Sequence, residues 1–456
     1  MKEQNKLKSR LGFILLSAGC AIGLGNVWKF PYITGQYGGG VFLILYFLML
    51  IMFGIPVMTM EFAIGRAAQK APVKMYEELE PKGSKWHIHG VAGMIGCILL
   101  MMYYAVVAGW IVRYFIKFLK GDFAGATPDS IGAEFGNMLS SPGINIGYTA
   151  VVVIISFVVP AIGLQKGLEN ITKYMMALLL IIMVVLAINS FTMPGSKEGL
   201  KFFLLPDLQR TKEIGFPRVV MGALNQAFFT LSIGIGSMAV FGSYINKDRS
   251  LLGESVNITI LDTLVAVTAG LIVFPTCFSY GIDVNAGPSL LFITMPNVFA
   301  NMQLGRLWGT LFFLFMSFAA LSTAFAVYEN VVANVMELTK LKRKTACLVC
   351  GISMFILAIP CALGFNLWSG FAPLGEGTGV LDLEDFVVSN LLLPIGAIVY
   401  VLFCSTRYGW GWNSFLKEAN EGVGMKMPGW LRNYMRFFVP VVLLTILVVG
   451  LIDIFG

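Results

Sequence analysis

Two stretches carry residue types suited to holding ions and a small polar molecule inside apolar surroundings. The first is Ser17-Ala18-Gly19-Cys20-Ala21-Ile22-Gly23-Leu24-Gly25-Asn26-Val27-Trp28-Lys29-Phe30-Pro31, within an apolar run that starts at Leu11. Glycine weakens a helix and lets carbonyls leave the i−4 ladder. Freed backbone at membrane depth persists only where it lines a cavity or finds another partner, and a cation is one such partner. The competing reading is a helix-packing seam built on Gly19-xxx-Gly23. The second stretch, Gln226 to Ser237, places Thr230, Ser232, Gly234 and Gly236 mid-span where lipid-facing leucines are expected. Two broken spans favour the cavity.

Other groups stand at similar depth. Asp262 lies amid Thr259-Ile260-Leu261-Asp262-Thr263-Leu264, and a carboxylate inside a span is costly enough to predict function with a paired cation. Ser322 and Thr323 either bond back to their own helix or join freed carbonyls in an all-oxygen cage, which hard cations prefer. Tyr103 is expected to pack in the bundle, whereas the Tyr104 phenol is free to serve a polar ligand. Lys29, one turn above the first break, predicts a gate-like pairing with the Asp382-Leu383-Glu384-Asp385 cluster. His87-x-His89 sits in a loop without further metal ligands.

The elements that must position these groups are membrane helices. Of 456 residues, 57% are hydrophobic and 12% charged, with mean hydropathy +0.79, a polytopic membrane composition. About eleven apolar runs are long enough to span: 11–35, 41–63, 91–119, 146–163, 174–193, 219–245, 256–281, 307–336, 346–365, 386–404 and 437–455. Connections are short, so one membrane bundle accounts for the chain. The first run is too long, and too polar at Asn26 and Lys29, for a cleaved signal peptide. The seven cysteines fall mostly within apolar runs and read as small buried hydrophobes. With the N-terminus in the cytoplasm, 22 Lys and Arg face inward and seven outward, of 32 in total; Lys29, Arg113 and Lys117 fall within spans. Only the loop 192–218 resists the rule. The net charge of +7 therefore needs no nucleic acid.

Broken spans at positions one and six, five helices apart, predict two five-helix inverted repeats with a midplane site between them. The repeats cover about 10–193 and 217–404, with an additional helix at about 437–455. Half-helix N-termini suit an anionic group, and freed carbonyls suit cations.

The sequence resembles the neurotransmitter:sodium symporter family over essentially its whole length. The likeness rests on Arg10-Leu11-Gly12-Phe13-Ile14, Gly19, Ala21, Gly23-Leu24-Gly25-Asn26, Phe30-Pro31, Gly38-Gly39-Gly40, Tyr104, the stretch Gln226–Gly236 and the acidic mouth Asp382–Asp385. It is similar to the prokaryotic eleven-helix branch, which implies an all-α LeuT-type fold with helices 1 and 6 unwound at mid-membrane. The resemblance implies two Na⁺ sites and one amino-acid site. The first Na⁺ would be held by Ala21, Asn26, Thr230, Asp262 and the substrate carboxylate. The second would use the carbonyls of Gly19, Ile22 and Ala319 with the hydroxyls of Ser322 and Thr323. The substrate carboxylate would meet the backbone near Gly23–Gly25 and Tyr104. The amine would face Ala21, Phe229, Thr230 and Ser232. Cys20, Leu100, Tyr104, Phe229, Ile235, Thr323 and Val327 would line the side-chain subsite. Lys29 and Asp385 would gate the outer side, and Glu337 would be the acidic half of an inner gate.

The departures from the family pattern are specific. Asp262 replaces the frequent Asn and supplies a fixed charge that makes chloride unnecessary. Lys29 replaces an Arg and loses its bidentate fork. Leu7 stands at the cytosolic Trp latch, and Ala177 at a proline that unwinds the fifth span. Gly23 stands where amine-transporting relatives carry Asp, so the ligand must bring its own carboxylate. The expected activity is sodium-coupled uptake of a hydrophobic or aromatic L-amino acid by alternating access across a bacterial-type plasma (inner) membrane, as a monomer or weak dimer. Rival readings are a proton-coupled or uncoupled amino-acid carrier of the same fold and a non-transporting amino-acid sensor. An enzyme is not expected, because the spans hold no nucleophile–His–acid set.

Overall fold

The computed structural model describes residues 7, 10–281 and 290–455. Within them the chain is all helix apart from turns and one isolated bridge between Arg249 and Val423. Most of the basic N-terminal tail counted above lies outside the described residues. Among the described residues, nine helices are long and apolar enough to cross a bilayer. They are the second (Gly40–Ala68), third (His87–Lys120), fourth (Pro142–Ile162), fifth (Leu164–Phe191), seventh (Leu251–Ser279), eighth (Gly305–Thr339), ninth (Arg343–Leu363), tenth (Val380–Ser405) and eleventh (Leu431–Ile452) spans.

The two missing from that series are the broken ones. The first span divides into Arg10–Ala21 and Gly25–Gln36, bent by 52°. The sixth divides into Phe216–Thr230 and Ser237–Gly242, joined by a turn over 231–236. In that turn Ser232, Gly234 and Gly236 take positive φ (51°, 106° and 80°). Two of the three are glycines, as the left-handed region demands.

Gly38 and Gly39, both at positive φ, make the tight turn into the second span. A Cβ on Gly39 would lie 2.1 Å from the Phe202 carbonyl oxygen, so the outer loop closes directly on this turn. On the opposite side, Arg66 ends the second span fully buried. It bonds Glu418 at 2.6 Å and the Arg249 carbonyl at 2.7 Å, which ties together two loops of that face.

The fifth span corrects an expectation. The sequence places it at 174–193, with Ala177 where the family resemblance expects a proline that unwinds it. Its beginning, Leu164–Glu169, is instead a widened π turn entered through Gly163 at φ 122°. The loosening sits ahead of the helix rather than within it.

Candidate substrate and sodium sites

A long helix inside a membrane satisfies its own backbone; a broken one must borrow partners. Here the partners are side chains from other spans. Gln226 Nε2 donates to the Gly25 carbonyl (2.8 Å), and Asn26 Oδ1 accepts from Gly23 N–H (3.0 Å). Tyr104 Oη accepts from Leu24 N–H (3.3 Å) and also meets the Thr323 hydroxyl. Glu61, fully buried on the second span, accepts from Gly234 N–H and from Met238 N–H (3.3 Å). It therefore caps the second half of the sixth span with two carboxyl oxygens that take up otherwise unpartnered N–H groups. Asn330 Nδ2 donates to the Gly236 carbonyl (2.8 Å). Glu61 and Asn330 were missed as supports of the site. Their signal was simply a polar residue inside an apolar run.

Two oxygen clusters flank the first break. In one, Asn26 Nδ2 donates to Asp262 Oδ1 (2.8 Å) and to the Asp262 carbonyl (3.0 Å). The Thr230 hydroxyl donates to the same carboxylate at 3.1 Å and 3.3 Å. Asp262, Asn26 and Thr230 are each fully enclosed. Ala21 borders the cavity beside them, with no side-chain bond into the group. In the other cluster, the Thr323 hydroxyl lies 3.1 Å from each of the Gly19, Cys20 and Ile22 carbonyls. The Ser322 hydroxyl lies 3.0 Å from the Ala319 carbonyl and 3.4 Å from that of Ile22. The second cluster is all oxygen, the donor set of a small hard cation. The first joins a carboxylate and a hydroxyl to the Asn26 amide, whose nitrogen faces Asp262 while its oxygen is held by Gly23 N–H, so a cation there would need that amide to turn its oxygen inward.

Between the clusters is a small cavity of about 20 Å³, lined by Ala21, Gly23, Leu24, Gly25, Leu100, Tyr104, Phe229, Ser232, Ile235, Thr323 and Leu393. That is room for about one water, so its walls must part to admit a larger guest. The lining differs from the expectation in four places. Cys20 and Thr230 turn away into the backbone and Asp262 networks, and Val327 is buried one helical turn beyond Thr323. Leu393 was not anticipated. It enters because the tenth span widens over Phe386–Leu392, and its carbonyl would lie 2.3 Å from a Cβ on Gly234.

No side chain fits at Gly23: a Cβ there would stand 2.4 Å from Thr323 Oγ1 and 2.7 Å from Tyr104 Oη. Ser232 Oγ reaches the Cys20 carbonyl at 3.4 Å. One end of the cavity thus holds backbone amides and hydroxyls. The other is apolar.

Above the cavity, Lys29 Nζ lies 3.2 Å from both Asp385 oxygens, 3.3 Å from Ser389 Oγ and 3.9 Å from the centre of the Phe229 ring. Tyr103 Oη donates to Asp385 at 2.9 Å, so Tyr103 belongs to this outer closure and is not mere packing. On the other side, among the described residues, Glu337 pairs with Lys340 on its own helix (3.3 Å). The buried contact there is Glu329, which accepts from both Arg343 nitrogens (2.6 and 2.7 Å) and from Tyr244 Oη (2.9 Å). Leu7 N–H meets the Tyr244 carbonyl at 3.4 Å. Glu329 stands two helical turns before Glu337 on the same helix. The two histidines lie at the start of the third span rather than in a loop: His87 bonds Glu80 (2.6 Å), and His89 is wedged between the Tyr76 and Tyr400 rings.

Known proteins share this arrangement. The sodium-dependent transporter YhdH of Bacillus subtilis is 35% identical over 405 residues, 88% of each chain. A sodium-dependent transporter of Haemophilus influenzae is 32% identical over 99% of both. The crystal structure of MhsT in complex with L-phenylalanine matches with TM-score 0.88 and 36% identity, covering 97% of this chain and 99% of that one. The profile of the Sodium:neurotransmitter symporter family matches residues 4–130 and 134–455. The chain belongs to the sodium:neurotransmitter symporter family, with the LeuT-type fold of its prokaryotic members.

Proposed function

We propose that this sodium-dependent membrane transporter carries a hydrophobic or aromatic L-amino acid into the cell by alternating access, with two Na⁺ and no need for chloride. The observation that carries the substrate class is the crowding at Gly23. With no room for a protein carboxylate there, the ligand supplies its own, which meets the backbone of Gly23–Gly25 and the Tyr104 hydroxyl. The amine faces Ala21, Ser232 and the Phe229–Thr230 carbonyls. Leu100, Phe229, Ile235 and Leu393 offer the side chain no charge, and an apolar pocket separates neighbours by only about 1–3 kcal/mol per methylene. Several substrates are expected. The likeness to MhsT, solved with L-phenylalanine, supports the same class.

In this reading the first Na⁺ is held by Asn26, Thr230, Asp262, the Ala21 carbonyl and the substrate carboxylate. The Gly19, Ile22 and Ala319 carbonyls with Ser322 and Thr323 hold the second. Asp262 balances the first ion directly, so chloride is not needed. The Na⁺ gradient drives accumulation, aided by membrane potential worth about 2.3 kcal/mol per charge per 100 mV. Lys29, Tyr103 and Asp385 close the outer side; Glu329, Arg343 and Tyr244 close the inner, in place of Glu337. The repeats are assigned to about 10–193 and 217–404, with the N-terminus in the cytoplasm.

The test is binding of labelled amino acids to purified protein in sodium against potassium, with chloride omitted. Saturable, sodium-dependent binding of Leu, Met, Phe, Tyr or Trp is expected. Binding indifferent to sodium overturns both cation assignments.

A further inference from the structure

The fourth and ninth spans leave a deep groove between them on the outer surface of the bundle, with a volume of about 920 Å³. It is lined by residues from Ala150 to Ile162 and from Lys344 to Phe355. Gly351 forms its floor, 3.4 Å from the Phe157 ring measured from an ideal Cβ, and Leu348 and Ile162 stand at its rim, 64% and 55% exposed. Apart from Lys344 the lining has no ionisable group except the thiol of Cys347.

The groove has the length of one leaflet. At 1.5 Å per residue, Lys344 to Phe355 spans about 16 Å and Ala150 to Ile162 about 18 Å, against about 15 Å for half of a 30 Å hydrocarbon core. Its two walls are fastened at the charged end, where Arg343 Nη1 donates to the Pro160 carbonyl at 3.3 Å, so the shape is preformed.

The charge at that end is unbalanced. Glu329 is taken by Arg343 and Glu337 by Lys340. Among the described residues Lys342, Lys344 and Lys166 have no ion-pair partner. The first turn of the ninth span holds no acid. Cations at a helix N-terminus oppose the macrodipole, which favours an anion there. An apolar slot one leaflet long, ending in lysines that lack counter-charge, has the chemistry of an anionic phospholipid.

We propose that the groove between the fourth and ninth spans binds one anionic phospholipid of the cytoplasmic leaflet, an acyl chain lying against Gly351 and the headgroup phosphate against Lys342 and Lys344. It lies outside the substrate cavity and does not depend on the transport reading.

The experiment uses the full chain, purified, delipidated in detergent and incubated with phosphatidylglycerol or phosphatidylcholine, with native mass spectrometry counting retained lipid. One phosphatidylglycerol per chain is expected, held at least tenfold better than phosphatidylcholine. K342Q/K344Q is expected to erase that preference, and Gly351→Leu to lower retention of both lipids by filling the floor. An unchanged thermal melt of K342Q/K344Q reports that the variant is folded. Equal retention of the two lipids, or a preference that survives K342Q/K344Q, overturns the proposal. So does a dimer cross-linked through Leu348→Cys, which would make the groove a seat for a second copy of the chain.

Discussion

Replacing Asp262 by Asn changes one oxygen to nitrogen at a fully buried position and removes the only formal charge in the oxygen cluster it shares with Asn26 and Thr230. Shape is retained, so folding is expected to survive. The electrostatic loss can be sized. Unit charges about 4 Å apart in an effective dielectric of about 20 interact by about 4 kcal/mol, roughly a thousandfold in Na⁺ affinity at 1.4 kcal/mol per decade. The assay is substrate binding titrated with Na⁺, in gluconate and in chloride. In gluconate the half-saturating Na⁺ of D262N should rise by two to three decades. Chloride should recover part of that loss by restoring a negative charge. A thermal melt alongside separates weakened binding from unfolding. Chloride-free binding by D262N with unchanged Na⁺ dependence would falsify the role given to Asp262.

Four further outcomes follow from distances already given. Thr323→Val strips the hydroxyl from three carbonyls; leaving buried polar groups bare costs about 1–3 kcal/mol, and sodium-dependent binding should be lost while a melt shows only partial destabilisation. Lys29→Gln breaks a half-exposed pair worth about 1 kcal/mol at most, so equilibrium binding should change less than tenfold while uptake into proteoliposomes slows. Leu393→Ala should raise affinity for Trp relative to Leu, whereas Val327→Ala, one turn beyond the cavity, should leave the ranking unchanged in a competition assay. Glu329→Gln leaves Arg343 with a weakened partner, and a cysteine placed at Ser243 should label faster from the cytoplasmic side; unchanged labelling would remove Glu329 from the inner closure.

The breaks in spans one and six were legible because glycines and hydroxyls in an apolar run have few uses. The same logic of cost found Asp262, and depth matched Lys29 to Asp385. What escaped was direction. Tyr103 and Tyr104 are neighbours in sequence but about 100° apart around their helix, and depth alone does not say which phenol faces the gate. Val327 lies one turn from Thr323 on the same face, yet the widened turns of the tenth span bring Leu393 to the pocket first. Spacing along one helix carries no information about the bend in another. The buried acid on the inner side was missed for a different reason. Glu337 was chosen by correspondence with a family position, while Glu329, an acid inside a span and therefore expensive, was passed over.

The borrowed hydrogen bonds of the first span have a consequence for how the protein is made. Asn26 bonds a residue 236 positions later, and Gly19 and Ile22 meet hydroxyls about 300 positions later. At a synthesis rate of roughly 5–20 residues per second, the ribosome needs about 10–50 s to deliver Asp262 after Asn26 has emerged. During that interval the first span has its own Asn26–Gly23 bond but lacks the partners that the sixth, seventh and eighth spans supply. Truncated nascent chains ending before the eighth span should therefore hold the first in a form that differs from the mature one.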